Sequence, residues 1–328
     1  MRRRGRLAGL VAAGWWLASA ACGCAYAPAR LPVVAPRPLP ADLAARYAYT
    51  GQPREATIEV VRQRRGVRES LVRFPLIAPD FTPTEPVVEF EWFESLQPGR
   101  RPAILFNPIL GGDYPLERGI CRFFARRGFH VAMVHRKTLK ISPEQPANHL
   151  ELLLRQGVLR IRQVLDWMAL QPQVDAERMG SFGISMGGMA TVMAAAVDPR
   201  LRASVVVLAG GGIPDILVSS HDRLLTKPLR RYLAHHRMDR ATLYRQLQEE
   251  VRTDPLRLAP YVDTRRLLLV IATCDRTIGT ANALRLRRAL RYPQTQYLLA
   301  GHYTAYFLLP YLQFEALRFF ERHLQVPG

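Results

Sequence analysis

Lysine is almost absent from this chain. Lys137, Lys140 and Lys227 are the only three among 46 basic residues; the rest are arginine. Acidic residues are also few, 27 in all, and the formal net charge over 328 residues is +19. The arginines are spread along the chain and no nucleic-acid-binding motif accompanies them, so the charge is no nucleic-acid footprint. It reads as a basic surface suited to anionic lipid or an anionic cell envelope, or as a compositional bias of arginine over lysine. Cysteine is scarce as well. Of four cysteines, Cys22 and Cys24 fall in the first 25 residues, and only Cys121 and Cys274 remain for a folded body. That excludes a disulfide framework and leaves two separate thiols or a single bridge. No internal repeat marks a solenoid. Apolar residues are not lacking: 48% excludes disorder, and the length allows one large α/β domain or two small ones.

The first 25 residues differ from the rest. "MRRRGR" is cationic, "LAGLVAAGWWLASAA" is apolar, and "ACGCA" offers small residues for cleavage. This is the pattern of an export signal. Cys22 and Cys24 each follow small residues, as the acylated cysteine of a lipoprotein does. Lipoprotein, secreted protein and uncleaved membrane anchor stay open, all of them exported and periplasmic or envelope-associated. Residues 26–50 are proline-rich and predict a stiff tether.

Residues 55–95 alternate apolar and polar side chains and predict antiparallel strands at one side of a sheet. From Arg101 the rhythm becomes strand, helix, strand, helix. "PAILFNP", "FHVAMVH", "RMGSFGI", "ASVVVLAG", "RLLLVIAT" and "TQYLLA" are near-continuous apolar runs, as buried parallel strands are. A long amphipathic helix is predicted over 147–170, with Leu150, Leu154, Ile161, Leu165 and Met168 on one face. Residues 212–261 break the rhythm with helical, polar and basic sequence, too long for an ordinary loop, and read as a cap over one end of the sheet.

"GISMGG" places Ser185 between Gly183 and Gly187, after a predicted strand and before a helix over 186–197. A strand-to-helix turn this tight needs glycine on both sides and pushes the serine hydroxyl out above the sheet. It also presents the Met186 amide, at the positive end of the next helix, to whatever the hydroxyl attacks. Serine is a good helix cap as well, so the pattern alone does not decide. Its company does. A serine hydroxyl needs a base, and His302 follows the last strand in "AGHYTAY". The base needs an orienting carboxylate, and Asp275 follows the penultimate strand in "CDRTIG". Asp215 is the competing acid. The second oxyanion donor is expected from "FNPILGGDYP": Pro108 has no N–H, so Ile109 is the first choice and Leu110 the second. Tyr114, Met189 and Tyr303 flank the site and are expected to contact substrate, with Leu110 and Met186 adding to an apolar acyl pocket. The basic residues of the cap, among them Arg223, Lys227 and Arg230, read as a solvated face.

From about Arg101 to Leu324, two thirds of the chain, "GISMGG", "CDRTIG" and "AGHYTAY" in that order resemble the α/β-hydrolase superfamily, in particular its dienelactone-hydrolase-like and acetylxylan-esterase-like members. The resemblance implies an α/β fold with a mostly parallel eight-stranded sheet, helices on both faces and a helical cap. The domain would span residues 51–328. It implies acyl transfer through a serine ester on a small-molecule ester substrate, with no metal or organic cofactor. Many members carry His-Gly where Asn107-Pro108 stand here, which bears on the oxyanion donors. An acyltransferase, a peptidase or a non-catalytic binding protein on the same fold stays open.

Overall fold

The computed structural model describes residues 25–28, 35–53, 55–110, 113–135 and 142–324. The expected export signal up to residue 24, and Gly111 and Gly112 of the loop expected to supply an oxyanion donor, lie outside the described residues.

One sheet organises the molecule. Its strands are β1 (Ala25–Tyr26), β2 (Thr57–Arg64), β3 (Val67–Pro75), β4 (Val87–Ser95), β5 (Arg101–Asn107), β6 (His130–Val134), β7 (Val174–Ile184), β8 (Leu201–Val207), β9 (Leu267–Ala272) and β10 (Gln294–Leu298). They lie in the order β1-β10-β9-β8-β7-β5-β6-β4-β3-β2. The six central strands from β10 to β6 run parallel, and β4, β3 and β2 continue the sheet antiparallel. The fold is α/β with helices on both faces. Among the described residues the sheet has ten strands, not eight. The two additions, β1 and β2, are its outermost strands.

The parallel strands are apolar throughout because both faces are covered. Successive side chains of a strand point to opposite sides. Ala103 and Leu105 therefore enter one core, beneath α3 (His149–Ala169) and α4 (Met186–Val197). Ile104 and Phe106 enter the other, beneath α2 (Pro115–Ala125) and α9 (Leu309–Leu324). The apolar face predicted for the long helix is buried from Leu150 to Met168. Between β8 and β9 the chain forms α5 (Ile213–Ser219), α6 (Arg223–His235), α7 (Arg240–Glu250) and α8 (Pro255–Leu258), a helical cap. The basic residues Arg223, Lys227 and Arg230 of α6 are exposed.

The segment expected to be a tether departs from that expectation. Residues 35–50 lie against the body, and α1 (Ala41–Ala45) forms within them. Tyr47 is fully buried and its hydroxyl shares a 3.0 Å hydrogen bond with Thr253 Oγ1. The Arg37 N–H donates to the Pro260 carbonyl at 3.0 Å. Proline stiffens a chain but does not keep it off an apolar surface, and burial of the Tyr47 ring favours contact. Cys121 is buried, Cys274 is exposed, and both are free thiols.

Candidate active site

Five loops meet above the carboxyl ends of adjacent parallel strands, where open α/β sheets bind ligands. They follow β5, β7, β8, β9 and β10. Ser185 comes directly after β7 and caps α4, with φ 56° and ψ −120°. A non-glycine residue in that region is strained, and such strain recurs where a turn holds a side chain in one direction. The Ser185 N–H stays in register, donating to the Val207 carbonyl at 2.8 Å. The neighbouring glycines are sterically required. A Cβ on Gly183 would lie 2.2 Å from the Gly187 carbonyl oxygen, and one on Gly187 would lie 2.0 Å from the Asn107 carbonyl oxygen. The loop after β5 therefore rests directly on the turn that carries the serine.

Ser185 Oγ lies 3.0 Å from His302 Nε2, and His302 Nδ1 lies 2.7 Å from Asp275 Oδ2. All three side chains are buried, with residue exposures of 8%, 6% and 7%. With its Nδ1–H donated to the carboxylate, the ring presents the Nε2 lone pair to the serine hydroxyl. The other carboxylate oxygen, Asp275 Oδ1, accepts the N–H groups of Thr277 and Ile278, each at 2.9 Å. These bonds fix the carboxylate in its loop. Asp215 is engaged elsewhere, accepting from Tyr244 at 3.1 Å and pairing with Arg285 at 3.0 Å.

A cavity of about 120 Å³ opens at Ser185 and His302. Ile109, Leu110, Met186, Met189 and Tyr303 all line it. Tyr114 does not belong to its described lining. It is buried in the core on the α2 side, where it takes φ 55° as the cap of α2 and its ring centroid lies 6.1 Å from that of His135. The left-handed backbone turns its ring away from the position that sequence proximity implied. Sequence reasoning also missed several residues. Ile213, Ile216 and Leu217 of α5 and Leu150 of α3 complete the apolar wall. Asp222 caps α6 and accepts the Tyr303 hydroxyl, and also Thr277 Oγ1 at 3.1 Å, thereby joining the cap to the loops that carry His302 and Asp275. Burial, followed by the bond to Asp222, pushes the Tyr303 phenol up to about 12, so it remains a donor. Asn107 Nδ2 donates to Thr191 Oγ1 at 3.0 Å and pins the loop after β5 to α4.

A second polar cluster stands at the end of β6. His135 Nδ1 meets Glu89 at 2.9 Å, and Nε2 meets Glu91 at 2.8 Å. Burial opposes the imidazolium, but the bonds to Glu91 and Glu89 outweigh it and the pKa is raised. Burial likewise opposes the two carboxylates, and His135 with Arg73 or Arg118 brings their net shift downward. A raised histidine stabilises fully below its ordinary 6.5, and the contribution is lost as pH rises through the folded value. Depressed carboxylates stabilise above their ordinary 4.5 and lose this as pH falls. His135→Gln is therefore expected to cost about 1 kcal/mol near pH 5.5 and less near pH 9. Urea unfolding at the two pH values checks this; an equal cost at both would refute the charge assignment.

Among the described residues no group of three or more histidines, cysteines and carboxylates is placed to hold a metal ion. Nor is any helix of the described residues long and apolar enough to cross a membrane.

Residues 119–304 match the model of the prolyl oligopeptidase family. No curated protein matches the chain. Among solved structures, the acetyl xylan esterase from Paenibacillus sp. R4 is 20% identical over 83% of this chain and 90% of its own, with a TM-score of 0.64. Acetyl xylan esterase 1 from Thermoanaerobacterium sp. JW/SL YS485 is 15% identical over 90% of this chain and all of its own, with a TM-score of 0.65. The Pyrococcus horikoshii acylaminoacyl peptidase is 19% identical over 76% of this chain and 42% of its own, with a TM-score of 0.52. At these identities the likeness is one of fold.

Proposed function

This chain belongs to the prolyl oligopeptidase family, and on that premise we propose that it is a serine hydrolase cleaving carboxylic esters through an acyl-enzyme on Ser185. The observation that carries the reading is the unbroken buried relay from Ser185 Oγ to His302 at 3.0 Å and from His302 to Asp275 at 2.7 Å. Ser185 Oγ attacks the ester carbonyl carbon while His302 Nε2 takes its proton. Asp275 stabilises the imidazolium and holds its tautomer. The former carbonyl oxygen, now an oxyanion, accepts the amides of Met186 and of Ile109, or Leu110 in its place. Each such donor is typically worth about 3 kcal/mol of barrier. Collapse of the tetrahedral species breaks the bond to the alcohol, which leaves with the proton from His302. Water, deprotonated by the same histidine, then releases the acid. Every step uses this chain's own side chains and amides, on a small-molecule ester.

Peptide-bond cleavage is the second reading, favoured by the family itself. The predominantly apolar cavity favours esters of apolar acids over peptides, whose backbone amides need partners. For one acyl group, kcat/KM on the p-nitrophenyl ester is expected to exceed that on the p-nitroanilide by about 100-fold or more. Parity, or a preference for a peptide, would move the assignment to a peptidase; product diverted to an added alcohol would move it to an acyltransferase.

Export and attachment to the cell envelope are part of the proposal. The cationic and apolar sequence before residue 25, with Cys22 and Cys24, supports it. Palmitate labelling that persists when both cysteines are replaced would exclude lipidation there.

A further inference from the structure

Beyond the catalytic cavity, under the cap, lies a second apolar chamber of about 40 Å³. Leu150 of α3 and Leu217 of α5 line both spaces, so these two side chains form the partition between them. Leu229 and Tyr232 of α6, with Leu243 and Leu247 of α7, make up the far wall. The polar lining belongs to the segment 142–149 and to the tyrosine. The space is partly open at its 142–149 side, and apolar walls left facing water are costly. An apolar space of this kind also offers water too few partners. A void placed one leucine pair beyond a nucleophile is instead suited to an aliphatic chain.

The topology says which part of an ester reaches it. His302 follows β10 and must protonate the leaving alcohol, so the alcohol departs toward that side of β7. Leu150 begins α3, which follows β6 and packs on β5, β6 and β7. In the sheet order β6 lies on the opposite side of β7 from β10. Through Leu150 the chamber reaches the acyl side of the site, while Leu217 and the far wall come from the cap between β8 and β9.

We propose that the acyl chain of the substrate passes Leu150 and Leu217 into this chamber, and that the enzyme's preferred substrates are esters of linear, medium-chain aliphatic acids. The inference rests on the ester-cleaving reading above and names its substrate class.

The test is the ratio of kcat/KM for p-nitrophenyl octanoate to that for p-nitrophenyl acetate, a quantity insensitive to loss of active protein. Each additional buried methylene is worth up to about fourfold, so the wild-type ratio should exceed about 10. Leu247→Trp fills the chamber and is expected to lower the ratio by about tenfold or more, whereas Leu217→Ala widens the partition and should raise it. A ratio that neither substitution moves overturns the chamber while leaving ester cleavage standing. A response confined to alkyl acetates of increasing alcohol length overturns the acyl assignment. Calorimetric binding of decanoate to Ser185→Ala, lost on adding Leu247→Trp, reads the chamber without catalysis. Should no ester be turned over, the substrate assignment falls with the esterase reading, and decanoate binding that Leu247→Trp abolishes would leave only the chamber's affinity for an aliphatic chain standing.

Discussion

Ser185→Ala is expected to lower kcat on a p-nitrophenyl ester by about 10⁵-fold or more, with little change in thermal stability. The size follows from how the relay works. Without Oγ there is no atom to form the acyl-enzyme, and His302 has nothing to deprotonate except water. What remains is binding and oxyanion stabilisation, typically worth 10³ to about 10⁴ over water. Stability should hold because the strand register does not use the hydroxyl. The Ser185 N–H to Val207 bond at 2.8 Å and the Met189 N–H to Ser185 carbonyl bond at 3.1 Å are backbone interactions. Alanine inherits the same φ of 56° and thus the same backbone strain. Asp275→Asn should cost about 10⁴-fold by a different route. An amide nitrogen facing His302 Nδ1 favours the tautomer whose proton points at the serine. Residual kcat in Ser185→Ala above a hundredth of wild type, with the relay intact in the parent, would remove Ser185 from the nucleophile's role.

The relay was legible because each of its members is a local event. Ser185, Asp275 and His302 each follow an apolar run read as a strand, and parallel strands bring their carboxyl ends to one edge whatever lies between. Glycine at 183 and 187 announces a tight turn by residue type alone. The walls of the cavity carry no such signal. Ile213, Ile216 and Leu217 stand in a short helix whose facing depends on how the cap docks. Asp222 reads as an ordinary helix cap, and its bonds to Tyr303 and Thr277 span 81 and 55 residues. Tyr114 was misplaced for a related reason: proximity in sequence to the loop after β5 says nothing of a left-handed turn that sends its ring into the core. The tether was misread because composition reports chain stiffness, whereas the burial of Tyr47 depends on a surface that Thr253 helps to form. β1 is two residues long and exists only as a partner of β10, so no pattern in the chain foretells it.

Two glycines separate steric need from mere occurrence. Gly187→Ala is expected to reduce activity by about 100-fold or more and to destabilise the fold by about 3 kcal/mol. The new Cβ would meet the Asn107 carbonyl oxygen at 2.0 Å and the Pro108 carbonyl oxygen at 2.6 Å, far inside contact distance. Both obstacles are backbone, and Asn107 is held at its side chain by Thr191, so neither can swing aside. The loop must lift, and with it the Ile109 amide proposed to hold the oxyanion. Catalysis would then fall even in protein that still folds. Gly157→Ala is the control. Gly157 lies inside α3 with nothing within 4 Å of the added Cβ, so alanine should stabilise by about 0.5 to 1 kcal/mol through its helix preference and leave activity alone. Chemical denaturation of both variants, with active-site titration by a fluorophosphonate, distinguishes a misplaced loop from lost protein. Full labelling and wild-type turnover in Gly187→Ala would mean that the loop after β5 does not depend on this contact, and Ile109 would lose its claim as a donor.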